Sequence, residues 1–313
     1  MNEIYYTKLA RFIQFSLLIL FMVPSILCAL YFIYNTIKIR SFRKRFQNQT
    51  LIILVCIILL DIVCNLSITL SFYGHGSIGI KTKFFCELWE FLDYAFTALI
   101  VWYTAIFTLE RYMLVFYSNL LRSPKQKLIF HYVPLITITV YLFVFYLLAS
   151  FVIICLSTLN YNKLLCGTQC LDQQNVLSTF NWLFNILFPV SVVIVGSFLL
   201  LIHVLWKRRE MQRNLGNWSK NWKMIVQLLG IAIVYVTVWG PLICLSLFSI
   251  FFYRNDLIDQ IEHYMYFTSY LCDMITPIVA VFLAPELMQK LRGRTRPSTI
   301  DIGSVTIRQY SNN

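Results

Sequence analysis

Four acidic side chains and one arginine stand inside or beside long apolar runs. Asp61 lies in IILLDIV, Asp93 in EFLDYAF and Asp273 in YLCDMIT, while Glu110 and Arg111 sit in TLERYMLVF. A carboxylate in such surroundings pairs with a cationic group, shares a proton, or gathers hydrogen-bond donors. Asp93 follows Cys86 by seven residues on the same helical face, which places a lone carboxylate about two turns into an apolar segment. It is therefore a candidate for holding a ligand. Arg111 at a membrane boundary must pair or reach for water, and Glu110 is its nearest partner in sequence.

Enzyme chemistry is not expected. The aspartate contexts LLDI and LCDM lack the Tyr-Asp and Gly-x-Gly-Asp motifs of intramembrane aspartyl proteases, and no loop holds a zinc-binding His pair or a nucleophile motif. Residues 264 to 284 contain no Lys, which excludes a retinal Schiff base there. No cofactor or metal is expected from these motifs.

The elements that position these groups are written in the composition. The chain has 313 residues, 59% hydrophobic and only 13% charged, whereas soluble domains carry about a quarter charged residues. Its apolar residues fall into blocks long enough for the roughly 20-residue helices that cross a bilayer. The blocks are Phe12 to Ile37, Leu51 to Tyr73, Leu88 to Thr108, Pro134 to Ser157, Leu177 to Trp206, Met224 to Tyr253 and Tyr264 to Ala284. The sequence thus predicts an all-α membrane protein, a seven-transmembrane helix bundle. The first block is too long for a cleaved signal core and reads as a retained span.

With the N-terminus outside and the C-terminus cytoplasmic, 20 of the 26 Lys and Arg residues fall on the cytoplasmic side, as the positive-inside rule favours. The same asymmetry assigns the net charge of +12 to the lipid bilayer and its inner leaflet rather than to nucleic acid. The sequons at Asn48, Asn65 and Asn217 fall in cytoplasmic loops or in a span, so glycosylation is not expected. The segment PELMQKLRGR after the seventh block reads as a short amphipathic helix lying on the membrane, and no Cys follows it to carry a palmitoyl anchor. Residues 1–292 form the membrane domain. Residues 293–313 are polar and rich in Ser, Thr and Arg, a composition that predicts a disordered cytoplasmic tail.

Spacing narrows the function. Arg111 follows Cys86 by 25 residues, YVTVWGPL carries Tyr235, Trp239 and Pro241, NILFPVSVV carries Pro189, and Asp61 sits in the second block. As a set these resemble the rhodopsin-like (class A) G-protein-coupled receptor family across residues 12 to 290, as a divergent member. The family's helix-seven Asn-Pro-x-x-Tyr stands here as TPIVA, with Thr276, Pro277 and Ala280; helix one has Pro24 in place of a Gly-Asn pair, and helix four lacks its Trp.

The resemblance implies a plasma-membrane receptor that binds an extracellular ligand, a small amine or neuropeptide, and activates a heterotrimeric G protein. It implies ligand contacts at Asp93, Asn181, Asn185, Trp239 and Tyr270; the alternative is a structural Asp93–Tyr270 bond without a ligand. Leu242 and Ile243 stand where amine receptors usually place two Phe. Glu110, Arg111 and Tyr112 would couple to the G protein, the alternative being a plain charge pair at a helix end. Asn221 stands where many members carry an acidic latch for the Arg, leaving Glu110 to restrain Arg111.

The resemblance further implies a sodium ion at Asp61, with Asp273 facing it; two neighbouring carboxylates need a bridging cation or a shared proton. Pro189, Trp239, Pro241 and Pro277 would serve as activation hinges. A disulfide would run from Cys86 to Cys166 or Cys170, while Cys28, Cys56, Cys64, Cys155, Cys244 and Cys272 act as small apolar fillers. Tail residues Ser298, Thr299, Ser304, Thr306 and Ser311 would recruit arrestin when phosphorylated, the alternative being a plain solvated tail. The rival reading is a multi-pass transporter or channel.

Overall fold

The computed structural model describes residues 2–38, 49–116, 123–152, 159–167, 174–211, 215–251 and 256–282. Seven helices account for nearly all of them: α1 (Asn2–Lys38), α2 (Gln49–His75), α3 (Lys83–Phe116), α4 (124–152), α5 (175–211), α6 (Leu215–Phe251) and α7 (Asp256–Phe282). Each contains a segment long and apolar enough to cross a membrane. No strand occurs among the described residues. The amphipathic segment and the tail after Phe282 lie outside the described residues, as do Asn48, Cys155 and Cys170.

Neighbouring helices close a ring in which α1 packs on α7 and α2, and α6 packs on α5 and α7. Helix α3 fills the centre, touching α2, α4 and α5. Of its apolar window 89% is buried, against 22% for α1 and 28% for α4. That difference explains why the polar residues concentrate on α3: a helix shielded by protein on every side can carry them, whereas lipid-facing helices cannot. The outer helices accordingly turn Leu20, Leu27, Ile136, Val140, Val195 and Phe198 outward. Cys272 is a buried filler, but Cys64 and Cys244 are exposed on that outward surface, so the filler role does not extend to them.

Four buried threonine hydroxyls are satisfied within their own helices. Thr36, Thr69, Thr104 and Thr108 each donate to the carbonyl four residues earlier.

Four stretches widen to π-helix, at Ile62–Leu66, Leu128–Tyr132, Leu148–Val152 and Asn181–Leu187. Two of them run up to a proline, Pro134 and Pro189, which lacks the N–H that would close the preceding α turn. Helices α6 and α7 continue through Pro241 and Pro277.

Helix α3 extends eight residues past the expected end at Thr108. Glu110, Arg111 and Tyr112 therefore lie inside the helix rather than at its tip. Glu110 and Arg111 are buried. Arg111 therefore does not reach for water, and the two residues do not end the helix as a plain charge pair; Thr50 of α2 and His131 of α4 meet Glu110.

Candidate functional site

The N-terminal end of α3 is fixed by a disulfide from Cys86 to Cys166, with the Cα atoms 5.9 Å apart. Its partner segment, 159–167, is a tight turn in which the Asn160 N–H donates to the Cys166 carbonyl at 2.8 Å. Closing that turn puts Leu165 and Cys166 at φ 49° and 59° and Gly167 at φ 101°, a conformation that non-glycine residues enter only when the surroundings impose it. The Ile78 N–H donates to the Tyr161 carbonyl and ties the turn to the loop after α2.

Two turns below Cys86, Asp93 is fully buried and receives three donors. Tyr270 donates to Oδ1 at 2.8 Å, Asn65 Nδ2 donates to the same oxygen at 3.0 Å, and Tyr266 donates to Oδ2. The expected Tyr270 contact is present. Tyr266 and Asn65 are additions to it, although each follows a helical signal: Tyr266 stands four residues before Tyr270, and Asn65 four after Asp61. The Asn65 amide also donates to Asp61 Oδ1 at 3.0 Å, so it joins two carboxylates.

Asp273 is buried on α7, both its oxygens lack a hydrogen-bond partner among the described residues, and it lies within electrostatic reach of Asp61 and Asp93. The expected ligand aspartate and the expected sodium-site aspartates therefore form one acidic region rather than two. Among the described residues no three His, Cys, Asp or Glu side chains gather closely enough to hold a metal ion.

Above Trp239, a cavity of about 10 Å³ is lined by Tyr94, Thr97, Asn181, Trp182, Ile186, Trp239 and Tyr266. That is room for one water. Of the expected ligand contacts, Asn181 and Trp239 line it, whereas Asp93, Asn185 and Tyr270 do not. Tyr266 stands between the cavity and Asp93, touching both. Trp239 is buried, and one turn below it the Tyr235 hydroxyl meets Thr104 of α3 at 2.9 Å. Leu242 and Ile243 are buried in the same helix.

The two asparagines of α5 are spent on α4. Tyr146 donates to Asn181 Oδ1 at 2.7 Å, Tyr141 donates to Asn185 Oδ1 at 2.9 Å, and Asn185 Nδ2 reaches Asn181 Oδ1 at 3.0 Å and the Tyr146 hydroxyl at 3.3 Å. Both carbonyl oxygens are engaged inside the bundle. The π-helical turn Asn181–Leu187 presents the pair to α4.

Toward the C-terminal end of α3, Glu110 does not pair with Arg111. Its Oε1 lies 2.5 Å from His131 Nδ1 of α4, and its Oε2 accepts from Thr50 of α2. Adjacent residues on a helix point about 100° apart, so sequence proximity alone does not pair them, and the contacts their side chains make elsewhere decide. The Arg111 guanidinium lies over the Phe107 ring, 4.6 Å from its centre, and among the described residues it forms no hydrogen bond or ion pair. Tyr112 stacks edge-on to His203 of α5 at 5.8 Å. The Asn221 side chain lies outside the described residues.

No protein-family model matches the chain, and no curated protein matches it in sequence.

Proposed function

We propose that this chain is a plasma-membrane G-protein-coupled receptor of the rhodopsin-like kind, with its N-terminus outside. The observation that carries the reading is a buried arginine near the inner end of the central helix, with no hydrogen-bond or ion-pair partner among the described residues. A guanidinium in that position is costly unless something arrives to meet it, and a G-protein segment entering between α3, α5 and α6 would do so. The tethered outer end and the small cavity over Trp239 supply the matching ligand side.

In this mechanism a ligand enlarges the cavity between Tyr266, Trp239 and Asn181. Displacement of Tyr266 uncovers Asp93 for an ammonium or a basic peptide side chain, and repacking of Trp239 moves α6 away from Tyr235's contact with Thr104. The inner end then opens around Arg111. Linkage requires the G protein to raise agonist affinity by the factor with which agonist favours the G protein.

The test is a second-messenger screen of cells expressing the chain against amines and amidated peptides, repeated with Asp93→Asn. A response from one ligand class that Asp93→Asn removes is the expected result; agonist affinity unchanged by added G protein refutes coupling.

A second reading, ion or proton transport, draws on the run Asp61–Asn65–Asp93 with Asp273 beside it, because buried acids in membranes mark ion pathways. Flux in proteoliposomes that Asp273→Asn abolishes would favour it over the receptor.

A further inference from the structure

We infer that His131 is a positioning residue that holds Glu110 away from Arg111, so that restraint on the arginine is set by α4 and α2 rather than by its sequence neighbour. The inference rests on the receptor reading only for its signalling consequence; its geometry stands apart from it.

Glu110, His131, Thr50 and Arg111 are all buried, from three different helices. Both oxygens of Glu110 are engaged, one by His131 Nδ1 at 2.5 Å and the other by the Thr50 hydroxyl, which itself lies 3.4 Å from His131 Nδ1. The Tyr132 ring packs edge-on against the imidazole at 4.5 Å and holds its orientation. The charged group that faces this cluster from α3 is Arg111, close enough to feel the Glu110 charge without a direct bond.

A buried carboxylate stripped of its donors is left uncompensated, at a cost far above that of any neutral group. With His131 gone, Arg111 is a cation within electrostatic reach of Glu110, and it has no hydrogen-bond or ion-pair partner among the described residues. The carboxylate then swings to the guanidinium. The wild-type chain thus keeps Arg111 uncommitted by giving Glu110 a better partner.

The test uses the purified full-length chain in nanodiscs. Coupling between Glu110→Gln and Arg111→Gln is measured by double-mutant cycles of unfolding in three backgrounds: wild type, His131→Leu and Thr50→Val. The expected coupling is within about twofold in wild type and rises to about tenfold or more in His131→Leu, with a smaller rise in Thr50→Val. Equal coupling in all three backgrounds overturns the inference.

Basal nucleotide exchange on co-reconstituted G protein is read in parallel. His131→Leu is expected to lower it several-fold, and His131→Leu with Glu110→Gln to restore it, because the carboxylate that would seize Arg111 is gone. Simple loss of packing at His131 would not be reversed by that second substitution, and equal lowering in both variants overturns the inference. Coupling that changes as expected while no variant, wild type included, exchanges nucleotide counts against the receptor reading and leaves the positioning role of His131 supported.

Discussion

Removing the hydroxyl of Tyr270 probes the centre of the bundle with little collateral change. Tyr270→Phe keeps the buried ring and its edge-on packing against Tyr266, whose centre is 5.7 Å away, and deletes one donor to Asp93. Hydrogen bonds to charged groups are worth about 1.5–3 kcal/mol. Two other donors remain on Asp93, so the lower end applies, about 1.5 kcal/mol, or roughly a tenfold shift in the unfolding equilibrium. Tyr266→Phe alone should cost a similar amount. The double variant leaves only Asn65, which is already shared with Asp61, and should cost more than the two losses added.

The measurement is unfolding of the purified protein in nanodiscs, followed by tryptophan fluorescence. The same Tyr270→Phe change made on Asp93→Asn should cost less, about 0.5–1.5 kcal/mol, because the acceptor is then neutral. A loss that is the same on the wild-type and Asp93→Asn backgrounds, or losses from the two tyrosines that merely add, would refute the claim that a buried carboxylate organises this region.

Other expectations follow from single contacts. Cys166→Ser should destabilise the chain by about 2–5 kcal/mol, measured by the same unfolding under non-reducing conditions, and more than any change at Cys64 or Cys244. Gly196→Val should cost about 1–3 kcal/mol by overpacking, because a Cβ at Gly196 would lie 2.8 Å from the Thr108 methyl on α3; a neutral result in unfolding would show that α3 and α5 separate freely. Asn185→Leu should lower stability by about 1–3 kcal/mol by removing the acceptor of the Tyr141 hydroxyl and a donor to the Tyr146 hydroxyl, with the loss much reduced in a Tyr141→Phe, Tyr146→Phe background. On the receptor reading, Arg111→Gln should remove ligand-stimulated nucleotide exchange while leaving stability in the same unfolding unchanged or higher, since it deletes a buried charge that has no hydrogen-bond or ion-pair partner among the described residues.

Seven spans could be read from the sequence because lipid demands long apolar runs, and nothing but length and composition is needed to find them. The bond from Tyr270 to Asp93 was readable through the resemblance. Its companions Asn65 and Tyr266 were present as one-turn repeats of Asp61 and Tyr270, but Asn65 stood out only as a sequon. The partner of Glu110 was not legible: His131 and Thr50 meet it across 21 and 60 residues of chain, and only the packing of α2 and α4 on α3 brings them together. Asn181 and Asn185 share a face as their spacing implies, yet periodicity does not say whether that face looks at a ligand or at α4. Likewise the outer cysteines offered two candidates, and the turn at 159–167 aligns Cys166.

The π-helical turn at Asn181–Leu187 gives α5 one more residue than a regular α-helix would use over the same rise. Such a turn is an insertion absorbed without breaking the helix, and it sets the N-terminal and C-terminal halves of α5 out of phase by about 100°. Deleting a single residue there would restore regular pitch and rotate Asn181 off Tyr146 while leaving Gly196 seated against Thr108. One codon gained or lost at this turn would therefore re-aim the N-terminal face of α5 while the packing of its C-terminal half against α3 stays untouched.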